Sequence, residues 1–468
     1  MIVRKNSNVL GLVLILMSSV LLGVWAVKNT IALRNILLFV GAPLAALYCY
    51  WQYQEIRLKQ IKIPIKYYLP ILLVLLMFAW VLFHYLFLSR FPEIQWSELR
   101  STWLRALMAS ILGLGTGLAI LRRPNAINFL WLGILLSFAY LFYQYVPKAL
   151  AAHSLFAPDY DGYIFYGKIS AVLSGTILIC GLLGTVLSRF TFLCSKAKWA
   201  LLAFWLFGTS VALYASVFIF DTRNGVGLAL LLFGVVATGL FVRLIMTFFS
   251  KPSIQKILVN VLFLVCLLGI GGWFGWSQFK LNPGWATMFE DVQVAMQVDK
   301  YPNWQNPANL GFPNNALGKE VRGNTYERVS WAVAGMTILA PENPLGVGIL
   351  VRPFGVLLNE KYPDSAKGIM SSHSAWVEFT LAFGYPGILL TLGALVMILA
   401  LSFSGLSKAH QDDQHPFNYL VATLAFGVIA LYTVGEVSSQ HGAEMLYFLI
   451  TLMAGLLFPI LSQQVKKI

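Results

Sequence analysis

The chain has 468 residues, of which 58% are hydrophobic and 11% charged, and its mean hydropathy is +0.74. Soluble domains are about a quarter charged, so this composition excludes a soluble enzyme and indicates an integral membrane protein. The net charge of +14 would suggest a nucleic-acid surface in a soluble protein; in a membrane protein the positions of Lys and Arg report topology instead, and no nucleic-acid partner is expected.

Apolar runs of about 20 residues, the length that crosses a hydrocarbon core, recur along the chain. They predict about twelve helices, near 9–27, 32–52, 68–88, 102–121, 126–146, 166–187, 199–219, 225–247, 256–276, 374–402, 417–437 and 443–462. These runs are continuous rather than alternating, which excludes a β-barrel. The expected fold is an all-α polytopic bundle. It divides into an N-terminal part at 1–276 with about nine helices, a hydrophilic insert at 277–372 and a C-terminal part at 373–468 with about three. The first run follows Arg4 and Lys5, but its length and the lack of a clear small-residue cleavage site predict a retained helix rather than a signal peptide.

The connecting segments alternate in charge. One set carries Arg4 and Lys5, then Arg57, Lys59, Lys62 and Lys66, then Arg122 and Arg123, Arg189, Lys196 and Lys198, Lys251 and Lys256, Lys408, and Lys466 and Lys467. The intervening short loops are poorer in Lys and Arg. The positive-inside rule puts the first set and both termini in the cytoplasm, so the insert and the turns near Asp159, Asp221 and His441 face outward.

Within the insert, Trp285 and Trp304 follow Trp273 and Trp276, and the four are expected to mark the membrane interface, with sugar stacking as the alternative. Pro302 to Pro313, rich in Pro and Asn, is expected to be irregular. A short helix is predicted to begin at Asn324, with Glu327 as its capping-box partner, and to run from Tyr326 to Leu339 until Pro341, Pro344, Gly346 and Gly348 stop it. Arg328, Trp331, Ala332 and Gly335 then share one helix face.

Several residues could carry chemistry. Arg223 lies in a short outer turn, Phe-Asp-Thr-Arg-Asn-Gly-Val-Gly, where it either snorkels or binds an anion; Gly225 and Gly227 allow close approach. Arg328, with Arg322 and Arg352, could converge on a diphosphate, to which the planar guanidinium fork is suited. His373, at the start of a helix, is either a polar cap or a general base, since imidazole ordinarily titrates near neutrality. His441 is a rival base, near Glu436 and Glu444. His84 and His153 read as structural, and His410 and His415 as cytoplasmic. Asp159-Tyr160-Asp161 is a DxD that could hold a divalent cation but is also an ordinary turn, and Asp412 and Asp413 read as solvated. Cys49, Cys180, Cys194 and Cys266 offer neither a disulfide framework nor a CxxC site. No HExxH, P-loop or GxSxG motif stands where it would act.

From His373 the chain reads His-Ser, nine positions, Gly384, Tyr-Pro, then Gly387. This resembles the signature of O-antigen ligases: His, then Asn, Ser or Gln, nine positions, Gly, two positions, then Gly, Thr or Tyr. The multi-span layout and the large outer loop with an arginine-bearing helix are also similar to that superfamily. Another of its markers is an outer arginine followed four positions later by leucine; here Arg223 is followed by Gly227 at that place, with Leu228 next.

The resemblance implies a C-type glycosyltransferase bundle in a bacterial inner membrane, acting at the periplasmic face without cofactor or metal. It implies transfer of a glycan from undecaprenyl diphosphate to lipid A-core, with His373 as base and Arg223 and Arg328 on the diphosphate; Arg322, by its guanidinium chemistry, is expected to join them. O-antigen polymerases and protein O-oligosaccharyltransferases share that donor and are the nearest alternatives. A transporter or flippase is the non-enzyme alternative, but it would be expected to carry charged or broken helices at mid-membrane.

Overall fold

The computed structural model describes residues 2–155, 163–189, 195–249, 254–281, 283–407, 416–435 and 440–459. Asp159, Tyr160, Asp161, Cys194, Lys251, Lys408, His410, Asp412, Asp413, His415, Glu436, Lys466 and Lys467 lie outside them. So do the side chains of Arg4, Lys5, Arg189, Lys196, Lys198 and Lys256.

The described chain is all-α, with isolated backbone bridges joining only Val27 to Phe165 and Asn314 to Glu320. In chain order the first ten helices are α1 Ile2–Val24, α2 Ile31–Leu58, α3 Leu69–Phe87, α4 Pro92–Glu98, α5 Leu104–Arg122, α6 Ile127–Ala151, α7 Lys168–Arg189, α8 Ser195–Tyr214, α9 Arg223–Phe249 and α10 Ile254–Leu281. The insert holds α11 Met288–Ala295, α12 Pro307–Leu310, α13 Gly323–Ala334, α14 Ala340–Glu342 and α15 Pro353–Lys361. The chain then returns to the bundle through α16 Ala375–Ser407, α17 Asn418–Val434 and α18 Gln440–Leu456.

Among the described residues nine helices are long and apolar enough to cross a membrane, and α17 and His441–Leu456 of α18 are shorter apolar helices. Large apolar side chains such as Leu72, Phe87, Leu136, Leu268 and Leu389 point outward from the bundle. In a soluble protein so many would form an exposed patch; around membrane spans they meet lipid tails. Inside the bundle, helix association depends on close packing, because lipid is as apolar as the side chains. The crossing of α5 and α18 shows this: a Cβ on Gly117 would lie 2.4 Å from the Leu452 carbonyl oxygen.

The bundle has two chemically distinct ends. At one, Glu55 receives Lys59 at 2.6 Å and also pairs with Arg122, within the basic set expected in the cytoplasm. The other end bears the insert, together with the α1–α2 and α6–α7 connections. These two connections are stitched by Lys28 N–H to the Ile164 carbonyl (2.8 Å) and Tyr166 N–H to the Ala26 carbonyl (3.1 Å).

The insert has its own apolar core, built on Trp304, Tyr326, Trp331, Phe354 and Leu358, and completed by Val377 and Leu381 of α16. Trp304 therefore departs from the interfacial role expected of it. It is fully buried, donates its indole N–H to the Val298 carbonyl (3.0 Å), and its own carbonyl accepts from Trp331 Nε1 (2.8 Å). Trp273 and Trp276 on α10 are exposed, as an interfacial pair would be.

The arginine-bearing helix also differs from expectation. It begins at Gly323 with Arg322 as N-cap and no side-chain cap, so Asn324 and Glu327 form no capping box. Nor does Pro341 stop it: a π turn over Gly335–Leu339 leads directly into Ala340–Glu342, and Asn343, at φ −128° and ψ 61°, ends it.

Candidate functional site

The motif glycine Gly384 sits at a break in α16, with φ 68° and ψ −171° inside an otherwise helical run. The left-handed region favours glycine, and space requires it here too: a Cβ would lie 2.2 Å from the Pro344 carbonyl oxygen. The break frees backbone groups, and the insert's Pro344–Gly348 segment takes them up. Val347 N–H donates to the Leu381 carbonyl (3.0 Å), Gly348 N–H to that of Ala382 (2.7 Å), and Tyr385 N–H to that of Pro344 (2.9 Å). Gly346 is equally tight, since its Cβ would lie 2.4 Å from the Ala382 carbonyl oxygen. Two residues further on, the buried Glu98 carboxylate of α4 accepts from the backbone of Leu350 (3.0 and 2.8 Å) and Val351 (2.8 Å). The return leg of the insert is thereby fixed to two bundle helices.

His373 precedes this helix in a turn with φ 58°, a conformation uncommon for a residue with a side chain. Strained backbone persists where its surroundings over-determine it, and here they do. Glu378, fully buried one turn into α16, accepts from Ser372 N–H (2.6 Å) and from its hydroxyl (2.7 Å). The His373 N–H donates to Ser371 Oγ at 3.2 Å, and Ala375 N–H to the Gly435 carbonyl at 2.8 Å. The imidazole is thus aimed by a rigid turn and half-buried.

The ring lies against α13. Trp331 stacks on it with centroids 5.5 Å apart and planes 27° from parallel. Arg328, on the same helix, reaches the Val434 carbonyl at the end of α17 (3.4 Å). Between them in charge stands Glu327: burial raises its carboxyl above the ordinary range, and His373 and then Arg328 pull it back down. The structure therefore brings His373, Arg328, Glu327 and Trp331 together. Glu327, expected as a capping partner, faces His373 and Arg328 instead; the signal for this in the sequence is its place beside Arg328 on a helix.

A second arginine group lies at the start of α9. Arg322, Asp221 and Asp291 are the charged groups that act on Arg223. Asp291 is fully buried and accepts from Asn315 Nδ2 (2.9 Å), Thr287 Oγ1 (3.1 Å) and Arg322 N–H (3.4 Å). Gly227 faces the insert, where an added Cβ would meet the Trp285 ring at 3.4 Å. Arg223 and Arg322 are thus neighbours, and Arg322 lies six residues before Arg328, about 9 Å along a helix axis.

Arg352 does not join either group: it is exposed in a left-handed turn ahead of α15, its carbonyl accepts from Val356 N–H (3.1 Å), and its side chain makes no hydrogen bond or ion pair among the described residues. His441 belongs elsewhere, stacked on Tyr166 with centroids 5.6 Å apart. His84 is fully buried, edge-on to Trp80 and Phe383, and His153 is exposed at the end of α6.

No protein-family model matches the chain, and no curated protein matches it either. Chemically, the two groups offer what a phosphate-leaving transfer requires: fixed guanidiniums for an anion and a positioned imidazole that can accept a proton.

Proposed function

We propose that the protein is an O-antigen ligase-like glycosyltransferase with about twelve membrane spans and its insert in the periplasm. It moves a glycan from undecaprenyl diphosphate to the lipid A-core acceptor. The observation that carries this reading is the aimed His373 turn, packed on the helix that bears Arg328 and preceding the Gly384 break at the motif spacing.

In the proposed reaction the acceptor hydroxyl oxygen attacks the anomeric carbon of the donor glycan as the bond from that carbon to the diphosphate oxygen breaks. His373 takes the hydroxyl proton, and the electron pair leaves on undecaprenyl diphosphate, giving inversion. Negative charge grows on the leaving diphosphate, where preorganised donors contribute most. Arg223, Arg322 and Arg328 are suited to that role because the guanidinium fork matches phosphate oxygens. Arginine and histidine suffice for both charge and proton, so transfer is expected to survive EDTA.

Lipopolysaccharide profiles of cells lacking the gene test the reading. Loss of the whole ladder with accumulation of lipid-linked polymer is the expected result. Retention of a single repeat on core identifies a polymerase, an intact ladder with loss of protein glycans identifies an oligosaccharyltransferase, and donor binding without turnover identifies a transporter.

A further inference from the structure

Outward-facing segments of a membrane protein are expected to be poor in Lys and Arg. The connection between α1 and α2 departs from this with Lys28, as do the first turn of α2 with Arg34 and the start of α7 with Lys168. The fold gathers these exceptions at the insert-bearing end: Lys28 N–H donates to Ile164, and Val27 bridges to Phe165, three residues before Lys168.

Arg34 is the centre of the group. It is only 6% exposed, although it lies in the first turn of a long apolar helix. Its Nη1 donates to the Trp25 carbonyl at 3.3 Å, its Nε has no hydrogen-bond partner among the described residues, and the guanidinium lies 6.0 Å from the Tyr166 ring centroid. It makes no ion pair among the described residues. The nearby buried carboxylate, Glu444, is already engaged by Arg105 at 2.5 Å and the Trp25 indole at 3.0 Å. His441, on which the charge of Arg34 acts, stacks on Tyr166 and lies 3.4 Å from Ser170 Oγ. A buried guanidinium that no described carboxylate neutralises is costly, and inside a membrane such groups face a partner or a ligand path.

The same turn of α2 exposes Ile31, Leu33 and Ile36 on its outer flank. A ligand reaching Arg34 along that flank has an apolar tail and an anionic head, and basic pockets between membrane helices recognise such headgroups.

We propose that Arg34, with Lys28 and Lys168 at its rim, is a second anion site that takes the phosphate of an amphiphile's headgroup. The amphiphile is the phosphorylated lipid acceptor, an assignment that rests on the proposed function. The site is built on the α1–α2 and α6–α7 connections, α2, the start of α7 and α18, whereas the histidine and the other arginines lie on α9, at the start of and along α13, and in the turn before α16.

Equilibrium binding of diphosphoryl lipid A to the full-length protein in phosphatidylethanolamine nanodiscs tests the proposal without turnover. Wild type is expected to bind diphosphoryl lipid A more tightly than dephosphorylated lipid A. Arg34→Gln should weaken binding about tenfold or more, and Arg34→Lys should restore part of it. Lys28→Gln and Lys168→Gln should each weaken binding by a smaller factor at an unchanged unfolding midpoint, which keeps the test decisive if Arg34→Gln misfolds. Wild-type affinity in the lysine variants and in any folded Arg34 variant would overturn the site. Equal competition by phosphatidylglycerol would overturn the acceptor assignment and leave a general lipid-phosphate site. A ladder lost on gene deletion with binding unaffected by these substitutions separates failure of this site from failure of the proposed transfer.

Discussion

The His373 imidazole lies over the Trp331 indole, 5.5 Å between centroids, on a backbone turned to φ 58°. A strained turn that presents a titratable ring to a rigid aromatic platform is better explained by chemistry than by stability, because strain at such positions is held by the surrounding structure and relieved when the residue is replaced. His373→Gly should therefore abolish glycan transfer, by about a hundredfold or more, while the unfolding free energy stays level or rises by about 1 kcal/mol. Transfer assays and thermal unfolding on the same preparation check both halves. Retained activity in folded His373→Gly would remove the base assignment.

Gly384→Ala should be damaging through structure. The added methyl meets the Pro344 carbonyl and the backbone stays at φ 68°, so the Pro344–Gly348 segment must leave its place on α16. The expected loss is about 2 kcal/mol or more of stability, with faster proteolysis near Leu345. Unchanged protection of that segment would show that the break tolerates a side chain.

Glu327→Gln gives a pH test. Burial raises the Glu327 carboxyl above its ordinary range despite His373 and Arg328, so the folded state favours its protonated form. The sign follows: this contribution to stability is fully present below the ordinary glutamate range and is lost as pH rises through the raised value. Glu327→Gln should unfold at the same midpoint as wild type at acid pH and at a higher one at neutral pH. Convergence at neutral pH and divergence at acid pH would contradict the direction.

Arg223 and Arg322 should prove coupled. Each alters the other's electrostatic environment, with Asp221 and Asp291 beside them, so the double Gln variant should differ from the sum of the single variants by about 0.5 kcal/mol or more in donor binding. Arg328→Lys should separately lower turnover, since it keeps charge and loses the planar fork. Strict additivity of Arg223→Gln and Arg322→Gln would place the two on unrelated ligands.

The sequence alone determined the membrane class, because a composition with so few charges and repeated apolar runs has one physical solution. It also located the insert by polarity and picked out His373, Gly384 and the arginines as residues of interest. It could not give their relationships, which depend on contacts between segments far apart in the chain. The role of Gly384 is an example: from sequence it is a spacing, whereas the tertiary structure makes it the break whose freed carbonyls hold the insert. Glu327 was assigned by a local capping rule, and packing against the turn before α16 gave it His373 instead. Trp304 read as interfacial by its neighbours in sequence, yet the insert folds a core of its own around it. In the sequence Arg34 is one residue in an apolar run, and only the closure of α2 and α18 with the α1–α2 and α6–α7 connections buries its charge. Local pattern fixes where apolar and polar segments lie; which side chains meet is decided by how the helices and the insert close on one another.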